Sequence, residues 1–378
     1  MGYPCHIITA TPQAENCPAD IHFVRDDLQG IWERDSRRRR SFRAYLELLI
    51  RQMIFPGHLG ILWSQKAAAQ CRKIVSEHPN DRFVLFATYP PMGALLAALM
   101  VGRGKKIPWI ADFRDPLSAL IVEGEPRYRQ FWARRLEKRV FRSASAVIAN
   151  TEPAATVWGE RYPWARQKLR VLYNGFDLED APSARPVPPR SHKLIVHSGS
   201  FYHGRTPNIV IGALARLRQQ NAAEALSAKI LLLGSTASFA GADRALYEQA
   251  QREGWLEFRT TLHRRDALVI TEEADALLLF QGHSRLQVPG KLYEYICIGR
   301  PVLALLLRPS PVEPILQNAA VPHVCIYTDD APEVADRKLL EFLRLPNTAV
   351  PINDWFRDNF NSKVQTEALA RIIDAVAR

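Results

Sequence analysis

The sequence predicts an α/β protein built from two doubly wound parallel sheets, and three observations carry that reading. Short apolar runs alternate with longer stretches of helical period, first over 83–173 and again over 194–344. Strands covered by helices on both faces read as continuous apolar runs of this kind. A proline-rich segment, FDLEDAPSARPVPPR at 176–190, separates the two series. At 378 residues the chain also exceeds one comfortable core and suits two domains.

In the first series a strand over residues 5–9 opens the chain. A helix over 64–78 leads to the strand FVLFA at 83–87, the turn TYPPM at 88–92 and a helix over 93–101. A basic turn at 102–106 precedes the strand IPWIAD at 107–112, whose end carries DFRDP, Asp112 to Pro116. The charged helix YRQFWARRLEKRV at 128–140 precedes the strands AVIA at 146–149 and LRVLY at 169–173. The second series runs LIVHS at 194–198, the turn GSFYHGRTP, a helix over 208–220, KILLLG at 229–234, and a helix over 242–253. Then come LEF at 256–258, a short helix near 265–268, ALLLF at 276–280, VLALLL at 302–307 and HVCIY at 323–327. Helices over 332–344 and 354–376 finish it. The resulting division is a first domain at 1–177, a linker at 178–190, a second domain at 191–353, and a C-terminal helix in 354–378 that packs back toward the first domain.

The run VPGKLYEYICIGRPVL at 288–303 holds the most information. Pro289 and Gly290 close a loop, a short helix follows, and Gly299 ends it before the strand. At about 100° per residue, Leu292, Tyr295, Ile296 and Gly299 share one face and Glu294 points the other way. A helix N-terminus opened by glycine suits phosphate, because its first N–H groups lack partners. A carboxylate one turn further in can accept hydrogen bonds from a ribose diol. An ordinary βα turn with a solvated glutamate fits these residues equally well. DFRDP, likewise, either faces a crevice at a strand's carboxyl end or forms an internal Arg–Asp pair or helix cap.

The net charge of +11 is lopsided. Residues 1–177 hold 27 Lys plus Arg against 17 Asp plus Glu, while the remaining residues hold 23 against 22. A basic first half suggests an anionic partner there. Four arginines, Arg37 to Arg40, precede AYLELLIRQMIF at 44–55. That stretch either lies on an anionic membrane surface or packs in the core with a solvated flank. No zinc-finger or RNP pattern points to nucleic acid. Five cysteines without a CxxC pair give no metal site and no disulfide framework, which suits a reducing compartment. With no signal peptide and no run of about 18 apolar residues, the expected location is cytoplasmic or peripheral on the inner membrane's cytoplasmic face. Neither GxGxxG after the first strand nor GxxxxGK[ST] occurs, which argues against a dinucleotide oxidoreductase and a P-loop NTPase.

Five separated stretches share one resemblance: PWIADFRDP at 108–116, VIANTE at 147–152, VLYNGFD at 171–177, HSGSFYHGR at 197–205 and VPGKLYEYICIGRP at 288–301. In that order they resemble the retaining GT-B glycosyltransferases of family 4, especially the branch that assembles bacterial surface polysaccharides. The resemblance implies two Rossmann-like domains facing across a cleft, and a nucleoside-diphosphate sugar as donor, with no tightly bound cofactor and no metal. It implies a hydroxyl of a glycan or lipid-linked acceptor as the other substrate. Glu294 matches the glutamate that takes the ribose hydroxyls, Gly290, Lys291 and Leu292 the turn that approaches the diphosphate, and Gly199 the first turn of the second domain. Ser200 replaces a basic residue there, and Arg205 is the expected replacement phosphate clamp. Leu286 stands where many relatives carry a glutamate near the transferred sugar, leaving Gln287 or His283 for that contact. Arg114 stands close to the reacting sugar, flanked by Asp112 and Asp115 on the acceptor side. Arg114, Asp115, Arg205 and Lys291 are thus the expected catalytic residues. Relatives usually carry a first strand and a glycine-rich loop before a phrase like GYPCHIIT, so the first domain is expected to lack that strand. An epimerase acting on nucleotide sugars and a non-catalytic protein of the same fold are the alternatives, and the oligomeric state is left open.

Overall fold

A computed structural model describes residues 3–11, 19–26, 63–105, 107–118, 127–201, 205–234, 244–260, 262–282 and 284–378. The chain divides into two compact units: Met1–Tyr173 with Thr366–Arg378, and Asn174–Gln365.

In the first unit β1 (His6–Thr9) and β2 (Asp20–Phe23) form a parallel pair. This pair packs on α1 (Trp63–Glu77), whose Trp63 Nε1 donates to the Val24 carbonyl at 2.8 Å. A separate four-stranded parallel sheet runs in chain order through β3 (Leu85–Tyr89), β4 (Trp109–Phe113), β5 (Ala146–Ala149) and β6 (Leu169–Val171). Helices α2 (Met92–Lys105), α3 (Arg127–Ser143) and α4 (Glu152–Arg161) connect these strands. Every residue of β4 and β5 is buried, including the one polar residue, Asp112 of β4. Two sequence expectations shift. β3 sits two residues later than 83–87, because Leu85 pairs with Trp109 and Tyr89 with Phe113. α2 continues to Lys105, into the expected basic turn at 102–106. It can do so because Gly102 has no side chain: a Cβ there would come within 3.1 Å of the Trp109 ring.

The second unit holds one six-stranded parallel sheet, in the order β12–β11–β10–β7–β8–β9. Its strands are β7 (Lys193–Ser198), β8 (Ala228–Leu233), β9 (Leu256–Arg259), β10 (Ala276–Phe280), β11 (Val302–Leu306) and β12 (His323–Tyr327). Relabelled from its own first strand, this is 6-5-4-1-2-3, the doubly wound order of a dinucleotide-binding sheet. The strand order reverses at β7, which has β8 on one side and β10 on the other. The helices are α5 (Asn208–Gln219), α6 (Ala223–Leu226), α7 (Arg244–Arg252), α8 (Arg264–Glu272), α9 (Lys291–Ile298), α10 (Val312–Asn318), α11 (Pro332–Arg344) and α12 (Asp354–Phe360). One core cluster joins the sheet to α5 and α11 through Ile195, Ile230, Leu278, Leu214, Leu217, Leu339 and Phe342.

The proline-rich segment lies along this second unit. Arg185 Nε bonds Glu272 at 2.6 Å, and Arg300 donates to the Arg185 carbonyl at 2.7 Å. The helix expected over 354–376 is two helices, α12 and α13 (Ser362–Ala377), broken at Asn361. Phe176 causes the break. Its N–H donates to the Phe360 carbonyl at 2.9 Å, and its carbonyl accepts from the Ser362 N–H at 2.8 Å. Gly175 permits that approach, since a Cβ would lie 3.1 Å from the Ser362 Cα. Beyond the break, Ala368, Leu369, Ile372, Ile373 and Val376 of α13 pack on Ile110, Ala146, Ile148 and Leu172 of the first unit.

Gly299 ends α9 with φ of 72° and donates its N–H to the Tyr295 carbonyl. A Cβ at this position would land on the Val350 carbonyl oxygen. Gly299→Ala combines left-handed strain with that clash, and is expected to cost about 2 kcal/mol or more in urea unfolding of the second unit. An unchanged unfolding midpoint would contradict this account of the helix end.

Candidate functional site at the carboxyl end of the second sheet

β7 and β8 end level, with Ser198 opposite Leu233, so the turns after them lie side by side. Gly199 N–H donates to the Leu233 carbonyl at 2.9 Å. Gly234 has φ of 136°, and a Cβ on it would collide with the Gly199 carbonyl. Only a glycine allows this contact of backbone on backbone.

His197, the penultimate residue of β7, lies beneath the 199–200 turn, and its Nε2 is 3.3 Å from where a Gly199 Cβ would be. Its Nδ1 lies 2.8 Å from the Leu278 carbonyl of β10, which can only accept, so Nδ1 carries the proton. Phe201 and Phe280 flank the ring, with centroids at 4.9 and 4.7 Å. Burial holds the imidazole down at about 4, and the positive charges of Arg205 and Lys291 push in the same direction. Both cations therefore lie near the end of the central strand. Arg205 crosses Gly282 after β10, and its Nε would be 3.0 Å from a Gly282 Cβ.

α9 enters from Gly290, which is exposed and in helical geometry. A Cβ on Gly290 would meet nothing within 4 Å among the described residues. Tyr295 ties α9 to β7, its hydroxyl accepting from the Ser198 N–H at 3.0 Å. The helix is buried on more than the one predicted face, since Tyr293, Cys297 and Ile298 are buried along with Leu292, Tyr295 and Ile296. Lys291 and Glu294 are its partly exposed residues, and they pair with each other at 2.6 Å. An i,i+3 pair of this exposure contributes only ~0.3–0.5 kcal/mol, so a charged ligand can part them.

Of the residues expected to bind donor, the structure gathers Gly199, Ser200, Arg205, Gly290, Lys291 and Glu294 around the ends of β7 and β10. Leu292 points into the core and gives its N–H to the Pro289 carbonyl at 2.9 Å. Gln287 belongs to the loop before α9, which Gln281 organises. The Gln281 amide donates to the Ser284 and Gln287 carbonyls, and its oxygen accepts from Leu307 and Ser310. His283 and Arg37–Arg40 lie outside the described residues. Sequence reasoning passed over His197, Gly234, Gln281 and Gly282. Each is a polar or glycine residue at the end of a buried strand, and that position is the available signal.

Arg114 and Asp115 lie at the end of β4 in the first unit. The internal pair is the arrangement observed: Arg114 Nε donates to Asp112 Oδ2 at 2.9 Å, and Nη1 reaches the Tyr173 carbonyl at 3.3 Å. Thr88 donates to the same Asp112 oxygen, and Asn150 to the Arg114 carbonyl. Burial pushes the Asp112 carboxyl up, against the opposing pull of Arg114 and Thr88. Asp112 Oδ1 and Asn150 Oδ1 are buried acceptors with no hydrogen-bond donor among the described residues. Just beyond, the buried Glu137 carboxylate of α3 holds Ser118, Arg161 and Tyr162. No group of three or more His, Cys, Asp or Glu among the described residues could hold a metal ion.

Comparison with known proteins agrees with this geometry. The family model "Glycosyltransferase Family 4" matches residues 2–180. Among solved structures, sucrose-phosphate synthase of Thermosynechococcus elongatus aligns with a TM-score of 0.59 at 15% identity, over 85% of this chain and 80% of its own. A UDP-forming α,α-trehalose-phosphate synthase of Burkholderia xenovorans gives 0.57 at 13% identity, over 90% and 81%. HepE of Anabaena in complex with UDP-glucose gives 0.55 at 17%, over 82% of each chain. No curated protein matches. The fold is of the GT-B type, with two Rossmann-like units.

Two outcomes follow. The unfolded chain protonates His197 near 6.5 and the folded chain near 4, so between those values the proton favours unfolding. Stability from this residue is complete above about pH 6.5 and declines by about 3 kcal/mol as pH falls toward 4. Urea unfolding at pH 7 and pH 5 should show a smaller difference for His197→Asn than for the unchanged chain; equal differences would contradict the assignment. Gly282→Val should displace Arg205, and a crystal structure of that variant with Arg205 unmoved would sink the proposed packing.

Proposed function

We propose that the protein transfers a sugar, with retention at its anomeric carbon, from a nucleoside-diphosphate sugar to a hydroxyl of a glycan or lipid-linked acceptor of the bacterial surface. The presence of Arg205 and Lys291 near His197, beside the exposed Gly290 that opens α9, carries the reading. The hard part of such a transfer is the charge that builds on the leaving diphosphate as the C1–O bond breaks. Two cations and an oriented helix dipole stabilise that charge in place, with no reorganisation during reaction. Arg205 suits two phosphate oxygens at once, and Lys291 supplies a movable point charge.

Glu294 sits one turn inside α9, where its carboxylate takes the ribose diol once Lys291 swings to the diphosphate. The ion pair seen without ligand is then a resting arrangement of two groups that part on binding. In the first unit, Arg114 and Asp115, which follow β4, are the groups proposed for the acceptor side. As the new C1–O bond forms, the acceptor's proton passes to the departing phosphate oxygen. HepE, named in complex with UDP-glucose, supports a donor of this class.

Calorimetric titration with UDP, GDP and ADP tests the proposal. One of them should bind, and Arg205→Ala should weaken that binding about 10- to 100-fold. Glu294→Gln should weaken the nucleotide about tenfold and leave inorganic pyrophosphate unaffected. Absence of binding by every nucleotide would overturn the reading, and a nucleotide bound equally well by Glu294→Gln would remove that residue from it.

A further inference from the structure

Helix α3 carries a surface that the sugar-transfer reading does not use. Its 17 residues include seven Lys or Arg and one acid, Glu137, which is fully buried against Ser118 and Tyr162. The buried face centres on Glu137, Val140 and Phe141. At 100° per residue, the opposite face presents Tyr128, Phe131, Trp132, Arg135, Arg139 and Arg142, all within about 60° of one line. All six are exposed. Phe131 is 57% exposed, Trp132 43% and Tyr128 42%, and Phe131 and Trp132 touch edge to face at 5.6 Å. Arg142 lies over the ring of Trp164, which is itself 47% exposed. Arg134, Arg135, Lys138 and Arg139 have no carboxylate partner among the described residues.

Exposed tryptophan, phenylalanine and tyrosine at consecutive helical positions are unusual on a water-facing helix. Followed along the same stripe by arginines with no exposed acid, they match an interfacial helix. Aromatic rings enter the boundary between headgroups and acyl chains, while guanidinium groups meet lipid phosphates. Five exposed cations, Arg134, Arg135, Lys138, Arg139 and Arg142, with no exposed acid on the helix complement a surface that presents phosphate charge alone. No helix among the described residues is long and apolar enough to cross a membrane, so contact through α3 would be lateral.

We infer that α3 docks the protein on an anionic lipid surface through Tyr128, Phe131 and Trp132, with Arg135, Arg139 and Arg142 on the phosphates. The inference is independent of the sugar-transfer reading and of the arginines at 37–40. Co-sedimentation of the full chain with phosphatidylcholine vesicles, with and without about one third phosphatidylglycerol, provides the test. The chain should bind the anionic vesicles and not the neutral ones. Arg135→Gln with Arg139→Gln should weaken binding about 30-fold, an effect that fades as salt rises. Phe131→Ser with Trp132→Ser should weaken it about tenfold or more, and that loss should persist in high salt. These side chains are exposed, so both variants should unfold at the same urea concentration as the parent. No binding to anionic vesicles would overturn the inference. So would binding that both variants retain, which would move the contact elsewhere on the chain, or binding to duplex oligonucleotide in its place.

Discussion

The contact between the turns after β7 and β8 constrains everything around it. Gly234 and Gly199 meet backbone on backbone, which fixes the height of the 199–200 turn at the end of the central strand. β10 reaches the same strand end from the other side, where Gly282 gives Arg205 its path. α9 is then pinned to that strand through the Tyr295 hydroxyl and the Ser198 N–H. Each of these approaches needs either a missing side chain or a specific hydrogen bond. Together they bring residues 199, 205, 282 and 291, which are far apart in sequence, to the point where the strand order reverses. A crevice at such a reversal is where doubly wound sheets take ligands.

His197 records the electrostatic result. A neutral, buried imidazole beneath two cations adds no third positive charge, and its bond to the Leu278 carbonyl joins β7 to β10 at the level of the site. The Lys291–Glu294 pair satisfies both charges cheaply, and because it is weak it presents little barrier to a ligand carrying phosphate and hydroxyl groups. The first unit has a different balance. Arg114 is already engaged by Asp112 and the Tyr173 carbonyl, while two buried oxygens of Asp112 and Asn150 face no donor among the described residues. The strand ends of the second unit are therefore rich in cations, and the end of β4 in the first unit holds buried acceptors.

Much of this could be read in the amino-acid order. The strands at 146–149, 276–280 and 323–327 and the helix at 332–344 stand where the apolar runs and helical period put them. Gly299 takes the left-handed cap that its position before Arg-Pro suggested. What local pattern did not reveal depends on contacts between distant residues. Asn361, whose side chain accepts from the Lys363 N–H, is a local capping signal, but the partner that fills the gap, Phe176, lies 185 residues away. The composition of 176–190 does not show that Glu272 and Arg300 strap it to the second unit. Glu294 was legible as an outward carboxylate, whereas its pairing with Lys291 depends on side-chain rotamers. The aromatic stripe on α3 was read only as a charged helix, since its meaning depends on which rings the rest of the unit leaves uncovered.

We propose that the carboxyl end of the second sheet holds a nucleoside diphosphate by exchanging an internal ion pair for ligand contacts. A crystal structure of the chain with the tightest-binding nucleoside diphosphate tests it most directly. The diphosphate should lie between Arg205, Lys291 and the first turn of α9, with the ribose hydroxyls on Glu294 and the Lys291–Glu294 contact opened. A nucleotide bound elsewhere, or bound here with that contact intact and Arg205 turned away, would contradict it.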